Sequence, residues 1–191
     1  MKPLDTNLIS GHGNAIDLLR AEYNSIWKLC ALYHAGIEQD SLTDRIKVAQ
    51  ELCHTITICN LIEQEVLYPE TRKVNEELVL DLLLAHDEIN ACITEIRALT
   101  PEDMDYDLEV LRLIGIVQTH IRESQRMLFP LIEREIPANR LQPLAADFMR
   151  RSLLLRALGK DDLRPRAQDR PEVVPLAAPG EVGVRGHGAA A

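Results

Sequence analysis

Leu52-Cys-His-Thr-Ile-Thr-Ile-Cys-Asn-Leu-Ile-Glu-Gln-Glu-Val-Leu-Tyr-Pro69 is the stretch whose reading decides the fold. Steps of three and four pick out Leu52, Ile56, Cys59, Glu63 and Val66, the spacing of one helix face. That face is apolar except at its centre, where Cys59 and Glu63 stand a turn apart. A carboxylate on a buried face is costly unless something opposite satisfies it. The rest of the chain therefore has to supply other apolar faces, and partners for Glu63.

It supplies three more. Upstream lie Ile16, Leu19, Tyr23, Ile26, Cys30 and Tyr33; downstream lie Val79, Leu82, His86, Ile89, Ile93 and Ile96. The last is Tyr106, Val110, Leu113, Val117, His120, Ser124, Met127 and Leu131. Four such seams with short connections predict an all-α, up-down four-helix bundle with antiparallel neighbours. Each seam is broken near its middle: by Tyr23, by Cys59 with Glu63, by His86, and by His120 with Ser124. At about 1.5 Å per residue, Tyr23 and Cys59 lie roughly 24 and 27 Å from the first loop. The other interruptions are similarly matched about the second and third loops, so all are expected in one buried polar layer.

Punctuation sets the boundaries. The first helix is predicted from about Asn14 to Tyr33, stopping near Gly36. Ser41-Leu-Thr-Asp44 reads as a capping box that opens the second, which continues to Tyr68-Pro69 and towards Lys73. The third spans about Asn75 to Ala98. Thr100-Pro101-Glu102-Asp103 predicts a fourth helix with Thr100 as its N-cap, ending before Pro137. A fifth is predicted from Leu141 to Leu158. The expected organisation is an N-terminal extension (1–13), the bundle (14–136), a C-terminal helix (137–159) and a disordered tail (160–191), the last rich in Pro, Gly and Ala.

Composition narrows the function classes. A net charge of −9 argues against a general nucleic-acid surface, which needs an excess of Lys and Arg. There is no apolar run of the ~18 residues that a membrane span requires, and Met1 to Ser10 lack the pattern of a signal peptide. Cys30, Cys53, Cys59 and Cys92 contain no CxxC pair. A cytoplasmic, reducing location is expected. Phosphate loops, nucleotide fingerprints and a Ser-His-Asp order are missing, so an enzyme acting on an organic substrate is the least favoured class.

Ala15-Ile-Asp-Leu-Leu-Arg20, Ile62-Glu-Gln-Glu-Val-Leu-Tyr-Pro69, and His120-Ile-Arg-Glu123 followed by Leu128-Phe-Pro130 resemble, in order and spacing, the signatures of the hemerythrin-like (HHE) family. The resemblance covers roughly Asn14 to Glu135. It implies a four-helix bundle around a non-heme di-iron centre, in proteins that bind oxygen, store or sense iron, respond to nitric oxide or peroxide, or repair iron centres. The implied ligands are one His on helix one, His-x-x-x-Glu on helix two, one His on helix three and His-x-x-x-Glu on helix four. Glu63, His86 and His120 match that set. Tyr23, Cys59 and Ser124 stand where two histidines and the second bridging carboxylate belong. Glu123, next to Ser124, is about 100° around the helix and faces away.

The altered set predicts a mononuclear iron or other cation site in preference to a di-iron one. Two His and one carboxylate suit Fe(II) or Zn(II), with Tyr23 or Cys59 completing the site as phenolate or thiolate. The expected protein binds or senses oxygen, nitric oxide, iron or redox state. The other open reading is a metal-free bundle in which the layer is a satisfied hydrogen-bond network and the protein is an interaction or regulatory module. In that reading a protein partner docks through the tail or the C-terminal helix, where Leu141, Leu144, Phe148, Leu155 and Leu158 are paired with Arg140, Arg150, Arg151, Arg156 and Lys160. This basic amphipathic pattern suits an acidic partner or a membrane surface. Such a helix also packs simply across a bundle with its arginines solvated. His34 and His54 fall off the layer; His12 and His187 lie in the two terminal segments.

Overall fold

In the computed structural model, residues 14–158 are described. The extension, the tail, His12 and His187 lie outside them. The described residues form five helices and no strand. Helix α1 is Ala15–Glu38. Helix α2 is one rod made of Leu42–Ile62, a π turn at Glu63–Leu67, and Tyr68–Thr71. Helix α3 is Glu76–Ala98. Helix α4 joins Met104–Glu123, a second π turn at Ser124–Leu128, and Phe129–Glu135. Helix α5 is Ala138–Ala157.

Helices α1 to α4 form the expected up-down bundle. α1 packs along α2, α3 along α4, and further contacts close the ring between α1 and α4 and between α2 and α3. The core is continuous through all four, from Ala15 and Ile16 through Leu52, Ile56, Ile89 and Ile93 to Val110 and Leu113. At one end Asp107 accepts from the Tyr33 hydroxyl at 2.5 Å and pairs with Arg45, so a single carboxylate ties α1, α2 and α4.

Several predicted boundaries are corrected. α1 begins as read, with Asn14 capping Ile16 and Asp17 and a reciprocal Asp17 bond completing the box. It does not stop at Gly36. The left-handed residue that ends it is Asp40, at φ 51°. Ser41 N–H then bonds to the Gly36 carbonyl and Asp40 N–H to that of Ile37, the pattern that normally uses glycine at this place. Gly36 instead serves close packing: a Cβ there would lie 3.0 Å from Arg45 Cγ. Ser41 is the N-cap of α2, but its hydroxyl donates to Asp44 at 2.6 Å and caps no backbone N–H. Thr100 is not the N-cap of α4. That position is Asp103, whose carboxylate reaches back to accept from Thr100 N–H at 2.6 Å.

The C-terminal helix starts three residues earlier than predicted, at Ala138, and lies across α1 and α2. Leu141, Leu144, Ala145, Phe148 and Leu155 are its buried face. Its arginines are more than solvated: Arg140 pairs with Glu70 at 2.5 Å, Arg151 with Glu65, and Arg156 with Glu22 at 2.6 Å. Each of those glutamates belongs to the bundle, so α5 is fastened to it at both ends. No described helix is long and apolar enough to cross a membrane.

Candidate metal centre

The four interruptions meet. Tyr23, Cys59, Glu63, His86, His120 and Ser124 are all buried, none more than 3% exposed. Glu63 is the hub. Its Oε1 accepts from the Tyr23 hydroxyl at 2.8 Å and from the Cys59 thiol at 3.4 Å. Its Oε2 accepts from the Tyr68 hydroxyl at 2.8 Å and lies 3.2 Å from both His86 Nε2 and His120 Nε2. The two imidazole nitrogens are 3.3 Å apart. His34 is exposed and His54 half-buried, and neither belongs to the layer.

Two residues of the site were missed in the sequence, and the π turns explain why. Tyr68 enters the layer from the end of α2, stacking on His86 at 5.4 Å. Gln64, one residue after Glu63, reaches across to α3, where its Nε2 is 3.0 Å from His86 Nδ1. In each π turn a backbone N–H bonds five residues back, Tyr68 to the Glu63 carbonyl and Phe129 to that of Ser124. Each turn is followed by a proline, Pro69 or Pro130, which cannot donate to the carbonyl four residues back and whose ring crowds it. The widened turn shifts the phase by one residue. Met127, predicted inside, is consequently 48% exposed, while Leu128 is fully buried. In α2 the same shift turns Tyr68 inward. The recurring Tyr-Pro and Phe-Pro pairs after a layer residue were the available signal.

Electrostatics keep this layer in a defined state. Burial works against ionising Glu63, but the neighbouring His120 and His86 outweigh it and hold the carboxyl well below its usual range. Burial, and then the Glu63 charge, push the Tyr23, Cys59 and Tyr68 groups well above theirs. All three are therefore donors to one carboxylate. Burial lowers His86 against the opposing pull of Glu63. Phe129, itself buried, stacks on Tyr23 at 5.8 Å.

The donor set fits a metal ion. Three ligand atoms bound at ~2.0–2.1 Å in tetrahedral fashion lie about 3.3 Å from one another. Glu63 Oε2, His86 Nε2 and His120 Nε2 form a triangle with edges of 3.2, 3.2 and 3.3 Å before any ion is considered. These are also the three residues whose ligand atoms cluster closely enough to hold an ion among the described residues. His120 Nδ1 is buried there without a hydrogen-bond partner among the described residues, and the Ser124 hydroxyl lies beside that of Tyr23. The layer is thus polar beyond what its own bonds use.

Tyr68 is expected to stabilise the site measurably. Tyr68→Phe removes a hydrogen bond to a buried charged group, worth about 1.5–3 kcal/mol. Urea unfolding should show the loss at constant m-value, with the helical circular dichroism of the folded state unchanged.

Comparison with known proteins agrees with this architecture. No protein-family profile matches the sequence. A curated protein of Nostoc sp., named as a DNA nickase, is 23% identical over 137 residues; these make up 71% of this chain but 38% of that protein's length. Among solved structures, a hemerythrin HHE cation-binding domain-containing protein from Mycobacterium kansasii superposes with a TM-score of 0.66. It is 19% identical and the match covers 76% of this chain and 88% of the other. By fold this chain is a hemerythrin-like helical bundle, with a candidate cation site at Glu63, His86 and His120.

Proposed function

We propose that the protein is a hemerythrin-like binding or sensor protein that holds a single iron ion on Glu63, His86 and His120 and responds to a small diatomic molecule or to redox state. The observation that carries this reading is the preformed triangle of ligand atoms inside a closed apolar bundle. A second bridging carboxylate has no counterpart in the layer, because Ser124 occupies its place, and this favours one ion over two. Fe(II) held by Glu63, His86 and His120 would supply redox chemistry. The protein supplies the rest. Tyr23 and Cys59 hold Glu63 Oε1, leaving Oε2 aimed at the two imidazoles, and Tyr68 fixes Oε2 from the other side. In this reading Tyr23 and Cys59 position the ligand carboxylate and do not themselves complete the site. A reducing cytoplasm suits the four buried cysteines, all free thiols.

The test is spectroscopic. Full-length protein loaded anaerobically with Fe(II) should change its visible absorption on addition of nitric oxide, saturating at one equivalent, and the metal-free chain should not. An unchanged spectrum of the iron-loaded protein would remove the diatomic ligand from the account.

One observation favours a second reading. Both Glu63 oxygens already have protein donors, so the carboxylate at the centre of the layer is also satisfied without an ion. The protein would then be a metal-free interaction module. Its docking surface would be the groove of about 360 Å³ between α5 and the end of α2, lined by Val66, Pro69, Arg140, Leu144 and Arg150. Failure to bind iron in the folded state selects this reading.

A further inference from the structure

We propose that the Gln64 side-chain amide sets the tautomer of His86 and, by turning over, converts that histidine from a donor within the layer to a metal ligand. The second half of this statement rests on the cation-site reading; the first half does not. His86 is held at both ring nitrogens. Nε2 faces Glu63 Oε2 at 3.2 Å, and Nδ1 lies 3.0 Å from Gln64 Nε2. His120 differs: its Nδ1 has no hydrogen-bond partner among the described residues. Of the two imidazoles, His86 is therefore the one with a hydrogen-bond partner at each ring nitrogen.

A neutral imidazole carries one N–H and one lone pair. The Gln64 amide nitrogen only donates, so Nδ1, 3.0 Å from it, is the acceptor and the proton of His86 sits on Nε2. Nε2–H then faces Glu63 Oε2 at 3.2 Å, the Tyr68 hydroxyl at 3.2 Å and His120 Nε2 at 3.3 Å. A metal ligand needs the reverse arrangement. Nε2 must offer its lone pair, the proton must sit on Nδ1, and Nδ1–H requires an acceptor. Gln64 carries one: rotation about its last torsion replaces the amide nitrogen with the carbonyl oxygen. No proton is gained or lost overall, since the one that leaves Nε2 is matched by the one taken up at Nδ1.

The fold leaves room for this rotation. Glu63 and His86 are fully buried, whereas Gln64 is only half-buried, so its amide turns without breaking the core. It sits inside the π turn, which places it beside His86 although its neighbour Glu63 is in the layer.

The experiment uses full-length protein labelled with nitrogen-15 at histidine, with Zn(II) as the diamagnetic probe ion. Wild type, Gln64→Glu (acceptor only) and Gln64→Met (neither donor nor acceptor) are compared by long-range proton–nitrogen correlation spectra and by Zn(II) titration against a competing chelator. In the metal-free protein His86 should be Nε2-protonated, and Gln64→Glu should move it to the Nδ1-protonated form. Gln64→Glu should hold Zn(II) at least as tightly as wild type, whereas Gln64→Met should lose roughly 10- to 100-fold. The same His86 tautomer in wild type and Gln64→Glu overturns the proposal, and so does equal Zn(II) affinity in all three. If none of the three binds Zn(II), the cation-site reading fails on its own, and the metal-free spectra still decide the role of Gln64.

Discussion

Glu63→Ala is expected to lower the stability of the bundle by about 3–5 kcal/mol, the cost of breaking a buried charged cluster by removing one side. The hydroxyls of Tyr23 and Tyr68 and the thiol of Cys59 all donate to this one side chain. With alanine in its place they are left in an apolar interior beside two histidines that have lost their carboxylate. Glu63 is 0% exposed, so water does not simply replace the lost acceptor. A domain of this size should melt roughly 10 °C lower or more, at unchanged m-value if the unfolded state is unaffected. Iron uptake should vanish with the hub. A variant that melts like wild type would mean that the layer is looser than its hydrogen bonds indicate.

His86→Ala should separate binding from stability. It deletes one of the three ligand atoms and should abolish tight iron binding, yet Glu63 keeps Tyr23, Tyr68, Cys59 and His120 as partners. The stability loss is accordingly smaller, about 1–3 kcal/mol for a buried polar contact left unmade. Metal content and thermal melts on the same preparations test the contrast. Equal iron content in wild type and His86→Ala would place the ion, if one is bound, elsewhere.

The fold was legible because its signal is repetitive. Four apolar seams in helical phase, each interrupted at matching depth, leave few arrangements other than an antiparallel bundle, and Glu63, His86 and His120 converge as their phases require. What stayed hidden depends on departures from regular helix. Extending an ideal period through Ser124 puts Met127 inside, but the π turn ahead of Pro130 moves Leu128 there instead. The corresponding turn in α2 brings Tyr68 and Gln64 to the site, at positions that an unbroken helix would direct elsewhere. Caps were misjudged where polar side chains had alternatives. Asp103 took the N-cap position from Thr100, and Ser41 turned to Asp44. Asp40 did the work expected of a glycine at the end of α1, while Gly36 answered to the bulk of Arg45.

Tyr23 and Cys59 give the layer its particular character. Tyr23 and Cys59 remain protonated donors because burial and the Glu63 charge both disfavour their ionisation. They hold the carboxylate in place from the side opposite the imidazoles. With these two side chains as donors, the layer keeps three ligand atoms on the imidazole side, a set that suits the single-ion reading proposed above.

Metal stoichiometry tests the central claim most directly. Full-length protein reconstituted with Fe(II) without oxygen, freed of loosely held metal and analysed for iron per chain should carry one tightly bound equivalent, lost in His86→Ala. Two tightly bound irons per chain, or none in a protein that remains fully folded, would contradict the account.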